Sequence, residues 1–153
     1  MDTIDYKAIE LLQRLGRISW SSLGETLGMT GPAAAERVRR LEEAGVIVGY
    51  AALVDPESVG AILTAFVAVT LDRPEHRKGF LKKVAKLPEV QECHHVAGDD
   101  DYLLKIRCRG PRDLDRVISE ELKSVPGVGR TRTTIALSTA KETPALPLHP
   151  EGK

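Results

Sequence analysis

The chain has 153 residues, of which 42% are hydrophobic and 29% charged, and its formal net charge is +0. This length allows one ordinary domain or two small ones, and the composition excludes an intrinsically disordered chain. The neutral overall charge gives no signal for a polyanionic partner.

Three observations bear on the compartment. The two cysteines, Cys93 and Cys108, are too few for a disulfide scaffold, which favours a reducing environment. The N-terminal segment has early acidic residues and no basic-then-apolar run, so it lacks the pattern of a signal peptide. The longest apolar-rich run, residues 61–71, is too short to span a bilayer. We therefore expect a soluble, cytoplasmic protein without membrane contact.

The first fifty residues predict three short helices. The first begins at Asp2 or Thr3 and ends at Gly16, because its apolar positions recur at helical spacing between polar and glycine boundaries. The second begins at Ser19 or Ser21 and ends at Gly28. The third begins at Thr30, has Pro32 in its first turn and ends at Gly45. The tight turn at residues 28–30 is typical of a helix-turn-helix.

A small helical bundle without any DNA function would show the same three helices, but the tight turn and the basic residues 37–40 favour DNA binding. Residues 46–53 alternate and are rich in β-branched side chains, which predicts a strand or a wing. We expect Ala33, Arg37 and Arg40 to share one helix face, roughly opposite Val38. The predicted DNA-contacting residues are Ser21, Ser22, Thr30, Gly31, Ala33, Ala34, Arg37 and Arg40.

Charge and the alanine-rich first turn limit what one such domain can do. Residues 1–50 contain six basic and seven acidic side chains, a net of −1, so a single copy would release few counterions from DNA. Alanines can contact thymine methyl groups but cannot make bidentate hydrogen bonds to bases. We expect each DNA-binding domain, or head, to bind DNA weakly and to act together with further copies. Specificity would then come from the bendability of the DNA and from the spacing between the heads.

The second half predicts strand, helix, strand, strand, helix, strand. The strands are expected at residues 62–71, 90–97, 102–109 and 128–138, and the helical stripes at residues 80–87 and 114–125. This order specifies a ferredoxin-like βαββαβ sandwich in which both helices cover one face of an antiparallel sheet. The first strand is apolar on both faces, so we expect a second copy to cover the other face and form a dimer.

These patterns divide the chain into four parts within an α+β fold. Residues 1–50 are the helix-turn-helix (winged) domain, 51–60 a strand and hinge linker with the polar break Asp55–Ser58, and 61–140 the ferredoxin-like domain. The proline-rich residues 141–153 are expected to be a flexible tail.

Three segments together resemble one known family. The stretches ERVRRLEEAGVIVGYAALVDP, QECHHVAGDDDYLLK and VPGVGRTRTTIALS, in this order and spacing, resemble the leucine-responsive regulatory protein/AsnC family of transcription regulators. The resemblance covers roughly residues 2–140. It implies an N-terminal DNA-binding domain, a C-terminal domain that senses small molecules, usually amino acids, and dimers that assemble further into octamers or discs.

The resemblance also implies an effector site between dimers, against the turn at residues 98–102. Asp101 matches the family motif and would bind the effector's ammonium group, while backbone N–H groups or hydroxyls would bind its carboxylate. Asp100 stands where many relatives have an apolar or aromatic residue, which favours a basic effector. The composition alone also fits a simple acidic hairpin turn. The implied ligand-binding residues are Gly98, Asp99, Asp101, Tyr102, Leu122, Val125, Thr134 and Ala136.

Other candidate sites are set aside. Cys93, His94 and His95 would alternate along a strand and could not chelate one metal ion together. A four-residue turn would place Cys93 opposite Ile106 and His94 opposite Lys105. Trp20 is expected to fill the core or contact a backbone. No nucleophile–base pair, phosphate loop or metal-ligand spacing is present, so we expect no catalytic residues, no metal and no cofactor.

The combined prediction is a sequence-preferring transcription regulator that binds double-stranded DNA, oligomerises and senses an amino acid. Effector binding between dimers would favour one assembly and so move the DNA-binding heads. Two alternatives remain open. One is an amino-acid-binding or enzyme module of metabolism, since ferredoxin-like domains also serve there. The other is an architectural DNA-binding protein with little ligand response.

Overall fold

A computed structural model describes residues 1–149 of the chain. The chain forms two compact units. The first contains Met1–Ala52 together with the tail that begins at Lys141, and the second is Leu53–Ala140. The first is called the head and the second the sensor unit below.

The head contains three helices: α1 (Thr3–Arg14), α2 (Trp20–Leu27) and α3 (Gly31–Glu43). Each begins at a residue whose side-chain oxygen accepts a backbone N–H of the first turn, which satisfies a donor that would otherwise lack a partner. These caps are Asp2, Ser19 and Thr30, and Asp2 forms a reciprocal capping box with Asp5. The predicted helices are confirmed, and the structure selects Asp2 over Thr3 and Ser19 over Ser21.

The turn between α2 and α3 is held by close backbone packing. A Cβ built on Gly24 would lie 2.7 Å from the carbonyl oxygen of Met29, so only glycine allows this approach. Gly28 ends α2 in the left-handed region with φ of 72°. The buried core of the head lies behind this turn and comprises Leu23, Ala34 and Val38, with Ala8 and Leu41 also buried.

The strand or wing predicted at residues 46–53 is wrong for the described chain. No part of this segment belongs to a strand, and apart from Ile47, which packs against the core of the head, its large apolar side chains are exposed, Val48 to 95%. A strand needs a hydrogen-bonding neighbour, and none of residues 1–149 pairs with this segment. The segment therefore has the alternating pattern of a strand but no neighbouring strand to pair with among these residues.

The sensor unit has the predicted βαββαβ order. Its elements are β1 (Leu63–Leu71), α4 (Arg77–Val84) after a short 3₁₀ turn at Pro74–His76, β2 (Val90–His95), β3 (Tyr102–Cys108), α5 (Pro111–Arg116) and β4 (Val128–Ile135). Helix α5 continues as a π-helical segment, Val117–Leu122. The strands form an antiparallel sheet in the order β2-β3-β1-β4. The predicted α+β ferredoxin-like fold is confirmed.

Side chains on one face of the sheet pack against the helices. Val67, Leu104 and Ile106 are fully buried there with Phe80 of α4 and Val117 after α5. The opposite face carries Phe66, Ala68, Leu103, Lys105 and Thr134, as the strand register requires. We call this second surface the open face. Phe66 and Leu103 remain 39% and 37% exposed on it.

The hairpin register differs from the prediction by two residues. Cys93 pairs with Leu104 rather than Ile106, and His94 pairs with Leu103 rather than Lys105. The reason is an earlier turn: the N–H of Val96 donates to the carbonyl of Asp101 at 3.0 Å, which continues the same register and places the four-residue turn at residues 97–100 instead of 98–101. A shift of two residues preserves the faces, so Cys93 still points towards the core and His94 towards the open face.

The tail is not wholly free. The backbone of Leu146 makes two hydrogen bonds to the side chain of Gln13 in α1, a contact that the prediction of a flexible tail did not include. Residues 150–153, which that expectation also included, lie outside the described part of the chain.

Candidate functional sites

The exposed surface at the start of α3 is the candidate nucleic-acid interface. Ser21, Ser22, Thr30 and Ala33 are exposed there, and Arg40 is exposed in the last turn of α3. Gly31 is partly buried, because it lies against the α2 backbone: a Cβ built on it would lie 3.3 Å from the Cα of Ser21. Small residues at this point therefore let α2 and α3 pack closely and leave the start of α3 unobstructed.

Two of the predicted DNA contacts are less accessible than the sequence suggested. Ala34 is 0% exposed and belongs to the core of the head, so it cannot contact DNA. Arg37 is only 20% exposed in its side chain, and its guanidinium donates hydrogen bonds to Asp2 at 2.8 Å and Asp5 at 2.6 Å. These carboxylates raise the pKa of Arg37, and the contact joins α3 to the start of α1.

Helix geometry explains why the side chain of Arg37 is largely buried. Successive residues of an α-helix are rotated by about 100°, so Arg37 lies only about 40° from Leu41 and about 60° from Ala34. It therefore flanks the buried stripe rather than facing away from it. The distant partner on α1 could not be located by a pattern within α3 alone.

The other arginines of α3 differ in their availability. Arg39 pairs with Glu36 and Glu43 on its own helix, so its charge is balanced locally. Arg40 is exposed and forms no salt bridge within residues 1–149. It is the arginine of α3 that is available to a phosphate or a base edge.

The candidate effector turn is fastened to β1. The carboxylate of Asp101 accepts the N–H of Leu71 at 2.7 Å, and the N–H of Asp101 donates to the carbonyl of Val69 at 3.0 Å. Gly98 adopts φ of 133°, which favours glycine. Asp101 thus has a structural role at the end of β1 that the motif did not reveal, and one of its carboxylate oxygens is occupied.

The remaining implied ligand residues are not gathered in one pocket of the chain. Tyr102, Leu122 and Val125 belong to the core between the sheet and the helices, where each is at most 8% exposed. Thr134 pairs with Phe66 and lies on the open face, and the N–H of Ala136 donates to the carbonyl of Thr64. The sheet separates these two groups, so the single chain does not line one site with all eight residues. In the single chain, the three core residues are therefore not accessible to a ligand on the open face.

Asp100 has partners that the sequence did not predict. Its side chain is 9% exposed and accepts hydrogen bonds from Arg132 at 2.6 Å, Arg130 at 3.4 Å and Thr70 at 3.2 Å. Two arginines therefore offset this carboxylate, which removes the argument for a basic effector. The alternation of Arg130 and Arg132 along β4 was the available signal, since it places both on one face.

Tyr102 carries a second feature that the sequence did not reveal. Its ring packs between Phe80 and His95, with centroid distances of 4.9 and 5.3 Å, and the Arg77 guanidinium lies 6.0 Å from its ring centre. Its hydroxyl is buried without a hydrogen-bond partner among residues 1–149.

Two further features carry no candidate chemistry. A cavity of about 680 Å³ at the start of α5 is lined by Arg109, Asp113 and Arg116, but these side chains already pair with one another or with Glu89. Burial raises the pKa of the Cys93 and Cys108 thiols. Among the described residues, no three His, Cys, Asp or Glu side chains are placed to hold a metal ion.

Comparison with known proteins decides the family. Residues 1–42 match the AsnC-type helix-turn-helix domain, and residues 64–146 match the Lrp/AsnC ligand binding domain. The chain is 41% identical over 150 residues to the leucine-responsive regulatory protein of Haemophilus influenzae, covering 97% of this chain and 90% of the relative. The chain belongs to the Lrp/AsnC family.

Solved structures of similar proteins agree with this assignment. A transcriptional regulator from Neisseria meningitidis, in complex with L-Met, has a TM-score of 0.92 and 32% identity, with 96% of each chain covered. A feast or famine regulatory protein from Mycobacterium tuberculosis, complexed with L-methionine, has a TM-score of 0.87 and 35% identity, with 95% of this chain and 97% of that chain covered.

Membership in the Lrp/AsnC family makes this protein a DNA-binding transcription regulator with a ligand-binding domain, and not an enzyme. Within residues 1–149, every helix is too short or too polar to cross a membrane.

Proposed function

We propose that this Lrp/AsnC protein regulates transcription as a cytoplasmic oligomer whose sensor units bind a free amino acid between dimers. The observation that carries the proposal is the open face of the sensor sheet, which leaves Phe66 and Leu103 exposed, with Leu103 two residues after the Gly98–Asp101 turn. The L-methionine complexes of the Neisseria and Mycobacterium proteins support an amino acid as the ligand class.

The DNA contacts that we propose are narrower than the sequence prediction. Ser21, Ser22, Thr30, Ala33 and Arg40 form the contacting surface, and Gly31 supports it by keeping α2 and α3 close. The hydroxyls and Arg40 would bind phosphates or base edges, and Ala33 would contact thymine methyls. This small set gives each head modest affinity, so several heads must bind together.

The dimer that we propose forms through the open face. Phe66 and Leu103 supply its apolar centre, and a two-fold axis would bring the same patch from both copies together. Burying such side chains removes apolar area from water, at about 25 cal/mol per Å². Further assembly of dimers, to an octamer or a similar closed ring, would place several heads along one DNA segment.

The effector site that we propose lies at the turn and is completed by a second dimer. Gly98, Asp99 and Asp101 would contribute backbone groups and a carboxylate oxygen for the ammonium, with Thr134 and Ala136 at the same sheet. Tyr102, Leu122 and Val125 would hold the turn and the sheet in place from within the core.

A thermal-shift screen of the twenty amino acids tests the effector proposal. We expect at least one, with L-methionine and L-leucine tested first, to raise the melting temperature of the wild type. Asp99→Ala and Asp101→Asn should reduce this rise, whereas Glu57→Ala, in the linker, should not. If no amino acid stabilises the wild type, or if all variants respond equally, the proposed effector site is wrong.

An architectural DNA-binding protein is the second candidate, and the alanine-rich start of α3 favours it. Footprinting on the upstream region of the protein's own gene and on unrelated DNA separates the two. Protection confined to particular sequences supports a regulator. Uniform protection of every sequence supports the architectural function.

A further inference from the structure

The head of this protein is connected to the sensor unit twice. The head contains both the N-terminal residues up to Ala52 and the tail that begins at Lys141, whereas the sensor unit is Leu53–Ala140. The chain therefore leaves the head near residue 52 and returns to it near residue 140. A single hinge would allow wide rotation of the head, but a second connection removes much of that freedom if the tail stays docked.

The tail docks on α1 through the side chain of Gln13. Its Oε1 accepts the N–H of Leu146 at 2.6 Å, and its Nε2 donates to the carbonyl of Leu146 at 3.2 Å. The carboxamide thus satisfies both backbone groups of one residue, as a neighbouring strand would. A carboxylate in its place could not donate, and an alanine could make neither bond.

The tail is preorganised for this contact. Pro144 and Pro147 flank the docked residue, and each fixes its own φ. The residue before a proline is also pushed towards an extended conformation, which applies to Leu146. The N–H of Ala145 donates to the hydroxyl of Thr143 at 3.1 Å, and Leu148 is partly buried. The two prolines reduce the number of conformations that the free tail loses on docking, so a smaller entropy cost opposes the two hydrogen bonds.

We propose that residues 141–148 are a strap that docks on Gln13 and restricts the motion of the DNA-binding head relative to the sensor unit. The strap thereby limits the separations between two DNA sites that one assembly can bridge, a consequence that rests on the proposed function. Weak heads gain most from this restriction, because their joint binding depends on the effective concentration of the second head.

Trp20 provides a direct readout, because it is the chain's single tryptophan and lies at the start of α2 in the head. Time-resolved fluorescence anisotropy of the wild type should show little independent motion of the head. Gln13→Ala, and separately a chain that ends at Ala140, should each add a faster component to the decay. Gln91→Ala, an exposed glutamine on β2, is the matched control and should leave the decay unchanged. Identical decays for wild type and both strap variants would overturn the proposal.

Hydrogen exchange at the Leu146 amide tests the contact itself. In the wild type this amide should exchange more slowly than an unprotected one, and Gln13→Ala should accelerate it roughly tenfold, as expected for the loss of one protein hydrogen bond. An amide that already exchanges at the unprotected rate in the wild type would show that the tail does not dock.

The consequence for DNA is tested with duplexes that carry two copies of a selected site at varied separations. The wild type should prefer a narrow range, while Gln13→Ala should bind a broader range with more equal affinities. Equal ranges for both chains would contradict the consequence. If the wild type bound none of the duplexes, the proposed function would fail, whereas the anisotropy result would still decide whether the strap exists.

Discussion

The guanidinium of Arg37 on α3 donates a hydrogen bond to the carboxylate of Asp5 on α1 at 2.6 Å. Asp2, the cap of α1, accepts a second bond from the same nitrogen at 2.8 Å. An arginine on the DNA-binding helix thus joins two helices of the head. Its neighbour Arg40 remains exposed one turn later, so the two arginines of one helix have different roles.

Single alanine substitutions of the two arginines should separate their structural and DNA-binding roles. Arg37→Ala should lower the melting temperature of the head by a few degrees, because Asp2 and Asp5 lose their shared cation. Arg40→Ala should leave the melting temperature unchanged and weaken DNA binding, with the salt dependence reduced by roughly one phosphate contact per head. Calorimetry measures the melting temperatures, and DNA titrations at several salt concentrations measure the affinity and its salt dependence. A stable Arg37→Ala head that has lost DNA affinity would instead place Arg37 on the DNA.

Acid should weaken the same contact. The N–H of Asp5 and then the Arg37 guanidinium hold the pKa of Asp2 below its ordinary value of 3.8. A carboxyl whose pKa is lower in the folded state stabilises the fold above its unfolded pKa, and this contribution is lost as the pH falls through the folded pKa. The head should therefore lose stability below about pH 4. Asp2→Asn should be less stable than wild type at pH 7 and nearly equal to it at pH 2 in thermal melts.

Gly24 should be indispensable to the helix-turn-helix. Gly24→Ala would place its Cβ within 2.7–2.9 Å of backbone atoms of Met29, Thr30 and Gly31, so the turn must move. We expect a lower melting temperature and loss of DNA binding. Gly79→Ala in α4 is the matched control, because a Cβ there meets nothing within 4 Å. It should stabilise the sensor unit by roughly 0.5–1 kcal/mol, the helix preference of alanine over glycine. If Gly24→Ala bound DNA as well as the wild type, the helix-turn-helix would not require glycine at this position.

Assembly should depend on the open face rather than on apolar exposure in general. Phe66 on the open face and Leu81 on α4 are exposed to 39% and 37%, which makes them a matched pair. Phe66→Asp should dissociate the proposed dimer, because a buried unpaired charge at its centre is costly. Leu81→Asp should not. Sedimentation velocity distinguishes these outcomes, and equal assembly of both variants would exclude the open face as the interface.

A cavity created in the core of the sensor unit should lower its free energy of unfolding. Leu104→Ala removes a fully buried side chain at the centre of the sheet, so a loss of about 2–5 kcal/mol is expected. Denaturant unfolding followed by circular dichroism measures this loss. The Trp20 signal of the head should change less, since the two units have separate cores.

What could be predicted from the sequence was local or periodic. The caps Asp2, Ser19 and Thr30 are short-range hydrogen-bonding signals, and the βαββαβ order follows from apolar spacing, so the helices and the fold class were predicted correctly. Residues 46–53 have the pattern of a strand but find no partner in the chain, because a pattern specifies a preference and not a neighbour. The register of the hairpin differs by two residues because several polar and glycine residues in a row specify a turn but not its position along the chain.

The sequence by itself determined the three helices of the head, the order of helices and strands in the sensor unit and the family that the chain resembles. Only the tertiary structure decided the partners of Arg37, Asp100, Asp101 and Gln13, since each binds a group 30 or more residues away. The physical reason is that periodicity records the direction of a side chain around its own element. Which atom lies in that direction depends on how the elements pack.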